Sequence, residues 1–287
     1  MPTFETPHPV AATVELFVGQ VEVIASDRSN AVVEIRPSDP AKKEDVRAAQ
    51  ETVVDFTAGN LTVKAPRGWR MYAPPAAWRT PSLDVTIEVP TGSQLHGISH
   101  VGRFVVTGEL AQCELKTSIG DLQLEKAGPL ELQTSAGNIT VDQVVNRANI
   151  TIGTGAVRVR EINGSAVVKN SNGDSTILDV AGDIQVNSAN GNITVERPHG
   201  SVTAKTANGN IRIGDASCGT LRLETSIGEL EVGIHQGSSA YLDVSTKTGA
   251  LQNLMEATGE PAQSEETVHV YARNSVGNII IRHATAI

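Results

Sequence analysis

Aromatic side chains are scarce in this sequence. Phe, Tyr and Trp make up 3% of its 287 residues, and none occurs from Val105 to Ala240. Rings supply much of the volume of a broad globular core, so this stretch can enclose only a thin one. Cysteine is nearly absent: Cys113 and Cys218 are the only two, which excludes a disulfide framework. No apolar run is long enough to cross a bilayer, and the opening MPTFETPHPVAATVELF has no basic region leading into an apolar one. Neither a membrane span nor a secretory signal is therefore expected, and the expected compartment is the cytoplasm. Positive charge is the minority sign. Against 32 Asp and Glu stand 23 Lys and Arg, a net charge of -9, which disfavours non-specific binding to nucleic acid or to anionic membranes.

What the chain has instead is a repeat. NSNGDSTI, SANGNITV and TANGNIRI follow one another with central glycines Gly173, Gly191 and Gly209, each eighteen residues after the last. The period runs back through Gly155, Gly137, Gly120 and Gly102, and forward through Gly228, Gly249 and Gly277, the last two after insertions, giving ten copies. Apolar residues fall two and four places after the glycine, as in Leu122/Leu124, Ile139/Val141, Val157/Val159, Ile193/Val195 and Ile211/Ile213. Such alternation bounded by Gly and Asn reads as a short strand and a turn. One copy departs from it, with Ser175 in the first apolar position.

Half a period later each copy carries a second apolar pair, such as Cys113/Leu115, Ala166/Val168, Val202/Ala204 and Leu242/Val244. Two strands in eighteen residues leave no room for a helix. The predicted fold is all-β, a parallel β-solenoid with about 18 residues and two short strands per rung and an irregular N-terminal cap with one short helix. With strands about 4.8 Å apart, ten rungs would make a rod of roughly 50 Å. The glycines Gly120, Gly137, Gly155, Gly173, Gly191, Gly209 and Gly228 are the expected corner turns, and Asn172, Asn190 and Asn208, each preceding one, the expected amide ladder. Cys113 occupies an inward strand position and reads as a small core residue. Cys218 lies in a turn six rungs on, roughly 29 Å away at that spacing, too far for a disulfide.

The repeat divides the chain into irregular early rungs and a cap over 1–97 and a regular solenoid over 98–287, one continuous unit with an insertion at 253–267. Within the first part, SDPAKKEDVRAAQE reads as a helix capped by Ser38 or Asp39, with Pro40 in its first turn. Phe4, Phe17, Phe56, Trp69, Tyr72 and Trp78 would seal that end.

Motifs that carry chemistry are missing. The seven histidines are scattered, and no GGxGxD calcium pattern, phosphate loop or nucleophile elbow is present. Asp121, Asp174 and Glu229 share the column after the glycine but are separated by rungs bearing Asn or Ala, which is not the paired carboxylates of a glycosidase. The expectation is no enzyme, no metal and no cofactor.

The unit S/T-x-G-D/N-I/L-x-V/I, alternating with a second glycine-led strand, resembles the bacterial putative-adhesin β-strand-repeat family, a domain of unknown function. The opening segments PTFETP, VELFVGQVEV, VEIRPSDPAKKEDV and KAPRGW are similar to a cytoplasmic actinobacterial branch of it. The resemblance covers the whole chain. It implies a β-helix, right-handed in relatives, and no catalytic residues.

Functionally, the sequence points to a non-enzymatic cytoplasmic scaffold or protein-interaction module. The alternative is a carbohydrate-binding or carbohydrate-active β-helix using the loop between Trp69 and Trp78, with Arg67, Trp69, Arg70, Tyr72, Trp78 and Arg79 as the candidate binding residues. A weaker alternative is an acidic rod that mimics DNA. At the C-terminal end Ile279, Ile280 and Ile281 form an apolar edge where a protein partner or a second copy would dock, with no nucleic acid and no membrane insertion expected.

Overall fold

The computed structural model describes residues 2–66, 80–255 and 267–284. It divides into two compact units, Met1–Asn138 and Ile139–Ile287.

The first unit contains β1 (Thr3–Glu5), β2 (Ala11–Glu15), β3 (Val18–Ser26), β4 (Asn30–Pro37), α1 (Lys43–Glu51), β5 (Val53–Thr57), β6 (Asn60–Lys64), β7 (Leu83–Pro90), β8 (Gln94–Leu110), β9 (Gln112–Ile119), β10 (Leu122–Ala127) and β11 (Leu130–Ala136). Alternation of apolar and polar residues puts one side of each strand inward. Two parallel ladders result: β6, β2, the first half of β8, β9 and β11 on one side, and β7, β3, the second half of β8 and β10 on the other. The first strands in sequence are not the first in space. Ala12 stands between Leu61 and Leu95, and Val21 between Val85 and Phe104, so β2 and β3 are inserted behind the later β6 and β7.

The outer edges of β6 and β7 are closed by antiparallel strands, β5 on β6 and β4 on β7, with β1 added to β4. The rings of Phe4 and Phe56, on the two outermost strands, stack with centroids 5.0 Å apart. Phe17 lies lower, tilted on His100 at 4.7 Å. Trp69, Tyr72 and Trp78 lie outside the described residues. The helix starts later than its sequence indicates. Lys42 is the N-cap residue and makes no side-chain cap bond. Asp45, buried within the first turn, instead accepts hydrogen bonds from the backbone N–H groups of Asp39 and Ser82, and this holds residues 39–41 in a turn ahead of the helix.

One aromatic ring does enter the lumen. Phe104 is fully buried, and the space for it comes from Gly97, where a Cβ would sit 2.7 Å from the ring and 2.6 Å from the Leu115 methyl. The flanking rungs carry Val14 and Leu115 at that position. A large side chain is thus accommodated by removing the one facing it.

The second unit repeats with fewer exceptions. It holds β12 (Ile139–Val144), β13 (Ala148–Thr154), β14 (Val157–Ile162), β15 (Ala166–Asn172), β16 (Ser175–Val180), β17 (Ile184–Asn190), β18 (Ile193–Pro198), β19 (Val202–Asn208), β20 (Ile211–Ala216), β21 (Gly219–Ile227), β22 (Leu230–Ile234), β23 (Ser239–Thr248), β24 (Leu251–Asn253), β25 (Thr267–Val276) and β26 (Ile279–His283). Ala148, Ala166, Ile184, Val202 and Leu221 line up across five parallel strands. The inward aliphatics of these rungs are almost without exception buried. Gly173 and Gly191 show why the corner is glycine. At φ of 133° and 138°, a Cβ on either would lie 2.1 Å from the carbonyl oxygen of the glycine one rung before. The fold is a parallel β-solenoid with two strands per rung.

Candidate interaction surfaces

Most polar side chains near the corners are committed to the stack. Before the glycine, Asn190 donates from Nδ2 to Oδ1 of Asn172 at 2.8 Å, and Asn208 does the same to Asn190 at 3.0 Å. After the glycine, Asp174 Oδ1 accepts from the Asn192 N–H, Asn192 Oδ1 from the Asn210 N–H, and Asn210 Oδ1 from the Glu229 N–H, all within 2.9 Å. Asp121 serves Asn138 in the first unit in the same way, at 2.7 Å. The carboxylates of Asp121 and Asp174 are therefore staples between rungs, whereas Glu229 joins the column through its backbone N–H.

On the outer faces, charges of both signs interleave. Arg197 and His199 meet Asp179, His235 meets Asp215, and Arg282 meets Glu231, each within 3.3 Å. Among the described residues no group of three or more His, Cys, Asp or Glu is arranged to hold a metal ion. Both cysteines are free. Burial, with a smaller contribution from the neighbouring Glu114, pushes the Cys113 thiol well above its ordinary range, so it stays protonated in the native state. No helix among the described residues is long and apolar enough to cross a membrane.

The exception to this even surface is the C-terminal end of the second unit. Tyr241 and Tyr271 are the only aromatic residues of Ile139–Ile287. Both point outward on the same sheet face. Tyr241 tilts on His269 with centroids 5.8 Å apart, and the Arg222 guanidinium lies 5.2 Å from the Tyr271 centroid. Beside them runs an open groove of about 460 Å³ lined by Lys205, Glu224, Ser226, Ser245, Lys247 and Arg273. Lys205 pairs with Glu224 at 2.9 Å and Arg273 with Asp243 at 3.5 Å, and Lys247 has no ion pair among the described residues. Sequence reasoning passed over this cluster. The signal available was Tyr241 together with the alternation His269–Tyr271, in a unit with no other Phe, Tyr or Trp.

The expected edge at Ile279, Ile280 and Ile281 requires correction. Their strand, β26, is paired on both sides, with β22 and with β24, and Ile279 and Ile281 are fully buried. The last copy in sequence is inserted one rung inward, so the outermost strands are β23 and β24. The candidate binding residues Arg67, Trp69, Arg70, Tyr72, Trp78 and Arg79 lie outside the described residues.

Parallel rungs turning on a glycine column, with side-chain amides stapling one rung to the next, define a β-solenoid repeat domain. The chain belongs to the Toastrack DUF4097 family, whose model matches residues 18–213. No curated protein matches it. Among solved structures it is similar to a putative adhesin from Bacteroides fragilis, at 12% identity and a TM-score of 0.36 over 98% of this chain and 95% of that one. It is similar also to a putative lipid binding protein from Parabacteroides distasonis, at 9% identity and a TM-score of 0.33 over 99% and 94%. A third is a putative adhesin from Parabacteroides merdae, at 8% identity and a TM-score of 0.32 over 99% and 95%.

Proposed function

We propose that this protein is a non-enzymatic binding module, a cytoplasmic scaffold that takes protein partners at the C-terminal end of its second unit. The observation that carries the reading is the collection of Tyr241, His269, Arg222 and Tyr271 on one outward face of a unit with no other aromatic residue. Tyr and Arg dominate the energetics of protein interfaces, because each buries a large area while keeping a polar group to pair. The open groove next to this face holds Lys247, which has no ion pair among the described residues, and suits an acidic residue of the partner. The corner Asn and Asp side chains of the unit bond rung to rung, which leaves them little to contribute to catalysis. The C-terminal end is also where self-association belongs, on the outermost rung rather than at Ile279–Ile281.

Capture from an extract of the native host tests this, with wild type and a Tyr241→Ala/Tyr271→Ala double variant as baits. A protein held by wild type and lost from the double variant is expected. Equal retention by both baits would remove this face from consideration.

A further inference from the structure

Among the described residues, the outermost rung of the second unit is paired on one side only. β23 pairs with β25 over Ser239–Thr248, and β24 pairs with β26 over Leu251–Asn253, but neither has a described strand on its other side. Burial reflects this. Val268, Val270 and Ala272 are fully buried, whereas their register partners Ala240, Leu242 and Val244 on β23 are only half-buried. Leu251 and Leu254 are 47% and 62% exposed. An apolar lumen end bordered by β23, which among the described residues has no strand on its outer side, is open to strand addition.

The first unit shows how this chain closes such an edge. β4 lies antiparallel on β7 and β5 antiparallel on β6, and beneath them Leu61, Val63, Val85 and Ile87 are at most 1% exposed. Among the described residues nothing does this for β23.

We propose that β23 of a second copy does it, antiparallel, about a two-fold axis at Ser245. This rests on the reading that the C-terminal end of the second unit is the binding end. Charge selects both the occupant and the register. The outward residues of β23 are Tyr241, Asp243, Ser245 and Lys247. Antiparallel pairing centred on Ser245 sets Asp243 of each copy opposite Lys247 of the other, so one pair of residues yields two cross-strand ion pairs. Centring on Asp243 would instead oppose two carboxylates. Lys247 is available for this because it has no ion pair among the described residues, and the Asp243–Arg273 contact is exposed and long at 3.5 Å. On the inner side the same register lays Thr246 and Thr248 of one copy over Val244 and Leu242 of the other, covering the half-buried aliphatics. A chain of net charge -9 repels its own copy in general. At this end Lys205, Arg222, Lys247 and Arg273 outnumber Glu224 and Asp243, which lowers that repulsion locally.

Light scattering of the chain across the micromolar range tests the proposal, with circular dichroism as the control for folding. Wild type is expected to form a dimer. Lys247→Glu is expected to weaken it about tenfold or more, since two attractive cross-strand pairs become repulsive. Adding Asp243→Lys to Lys247→Glu is expected to restore it. A wild type that stays monomeric, a dimer indifferent to Lys247→Glu, or a double variant that stays dissociated would each overturn the pairing. Tyr241 and Tyr271 share the outward face with Asp243 and Lys247, but capture and dimerisation are read separately, so a monomeric wild type that still captures its partner separates failure of the dimer from failure of the proposed function.

Discussion

Asn170 reaches across the lumen to Ser175: its Nδ2 lies 3.3 Å from the serine Oγ, and both side chains are buried. Ser175 is the hydroxyl in an otherwise aliphatic column, between Val157 and Ile193, and Asn170 follows Ile152 in its own column. Asn170 belongs to a largely polar column, with Thr117 and Thr134 before it and Ser188, Thr206, Thr225 and Asn274 after it. The one polar residue of the Ser175 column therefore lies where that column can donate to it. The amide also donates to the carbonyl oxygens of Gly155 at 3.1 Å and Gly173 at 2.9 Å, joining two corners of the stack.

The amide matters more than the hydroxyl. Asn170→Ala takes this donor from two part-buried carbonyls and from the buried serine, at an expected cost of about 1–3 kcal/mol. Ser175→Val places an aliphatic where both flanking rungs have one, and is expected to change stability by less than about 1 kcal/mol. Urea denaturation measures both, and an Asn170→Ala midpoint equal to wild type would show that these bonds contribute nothing.

The column after the glycine gives a second expectation. Asp174 accepts the Asn192 N–H at 2.8 Å, while Asn192 and Asn210 perform the same task with an amide oxygen. What the site needs is an acceptor, not a charge. Asp174→Asn is expected to stay within about 0.5 kcal/mol of wild type, and Asp174→Ala to lose about 1 kcal/mol. Thermal melts distinguish the cases, and equal losses in the two variants would mean that the carboxylate acts through its charge.

The rung itself was legible in the sequence because every inward position repeats: a strand that must bury Ile193 and Val195 announces its face without reference to its neighbours. The order of rungs at the two ends was not. Parallel strands with the same alternation are interchangeable in pattern, so nothing in IIIRH says that β26 lies inside β24 rather than beyond it. Insertions before β6, β7 and β25 supply the chain length that makes the exchange possible. The same exchange hid the aromatic face, since Tyr241 meets His269 only once β25 has slotted in beside β23. Phe104 was unreadable for a related reason, because the residue that makes room for it, Gly97, looks like another turn. The helix began late because Asp45 turned inward to hold the chain at Asp39 and Ser82, a tertiary bond that outweighed local capping preference.

Cys113 makes stability depend on pH in a defined direction. It sits between Leu95 and Leu130 in the lumen, and burial favours its neutral thiol. In the unfolded chain the thiol ionises near its ordinary value of 9.0, whereas in the folded chain it does not until well above that. The folded state therefore holds a proton that the unfolded state has released. This contribution is fully present below pH 9.0 and is lost progressively as pH rises beyond it, by about 1.4 kcal/mol per pH unit. Other groups titrate in the same window, so the useful quantity is the difference between wild type and Cys113→Ala. Below pH 9.0 that difference is flat and favours wild type, because the variant leaves a small void. Above it, the wild-type curve should fall toward the variant's, while Cys218, present in both proteins, cancels. Denaturation midpoints at half-unit steps in pH would show the convergence, and two curves that stay parallel would mean that the buried thiol ionises as easily in the folded chain as in the unfolded one.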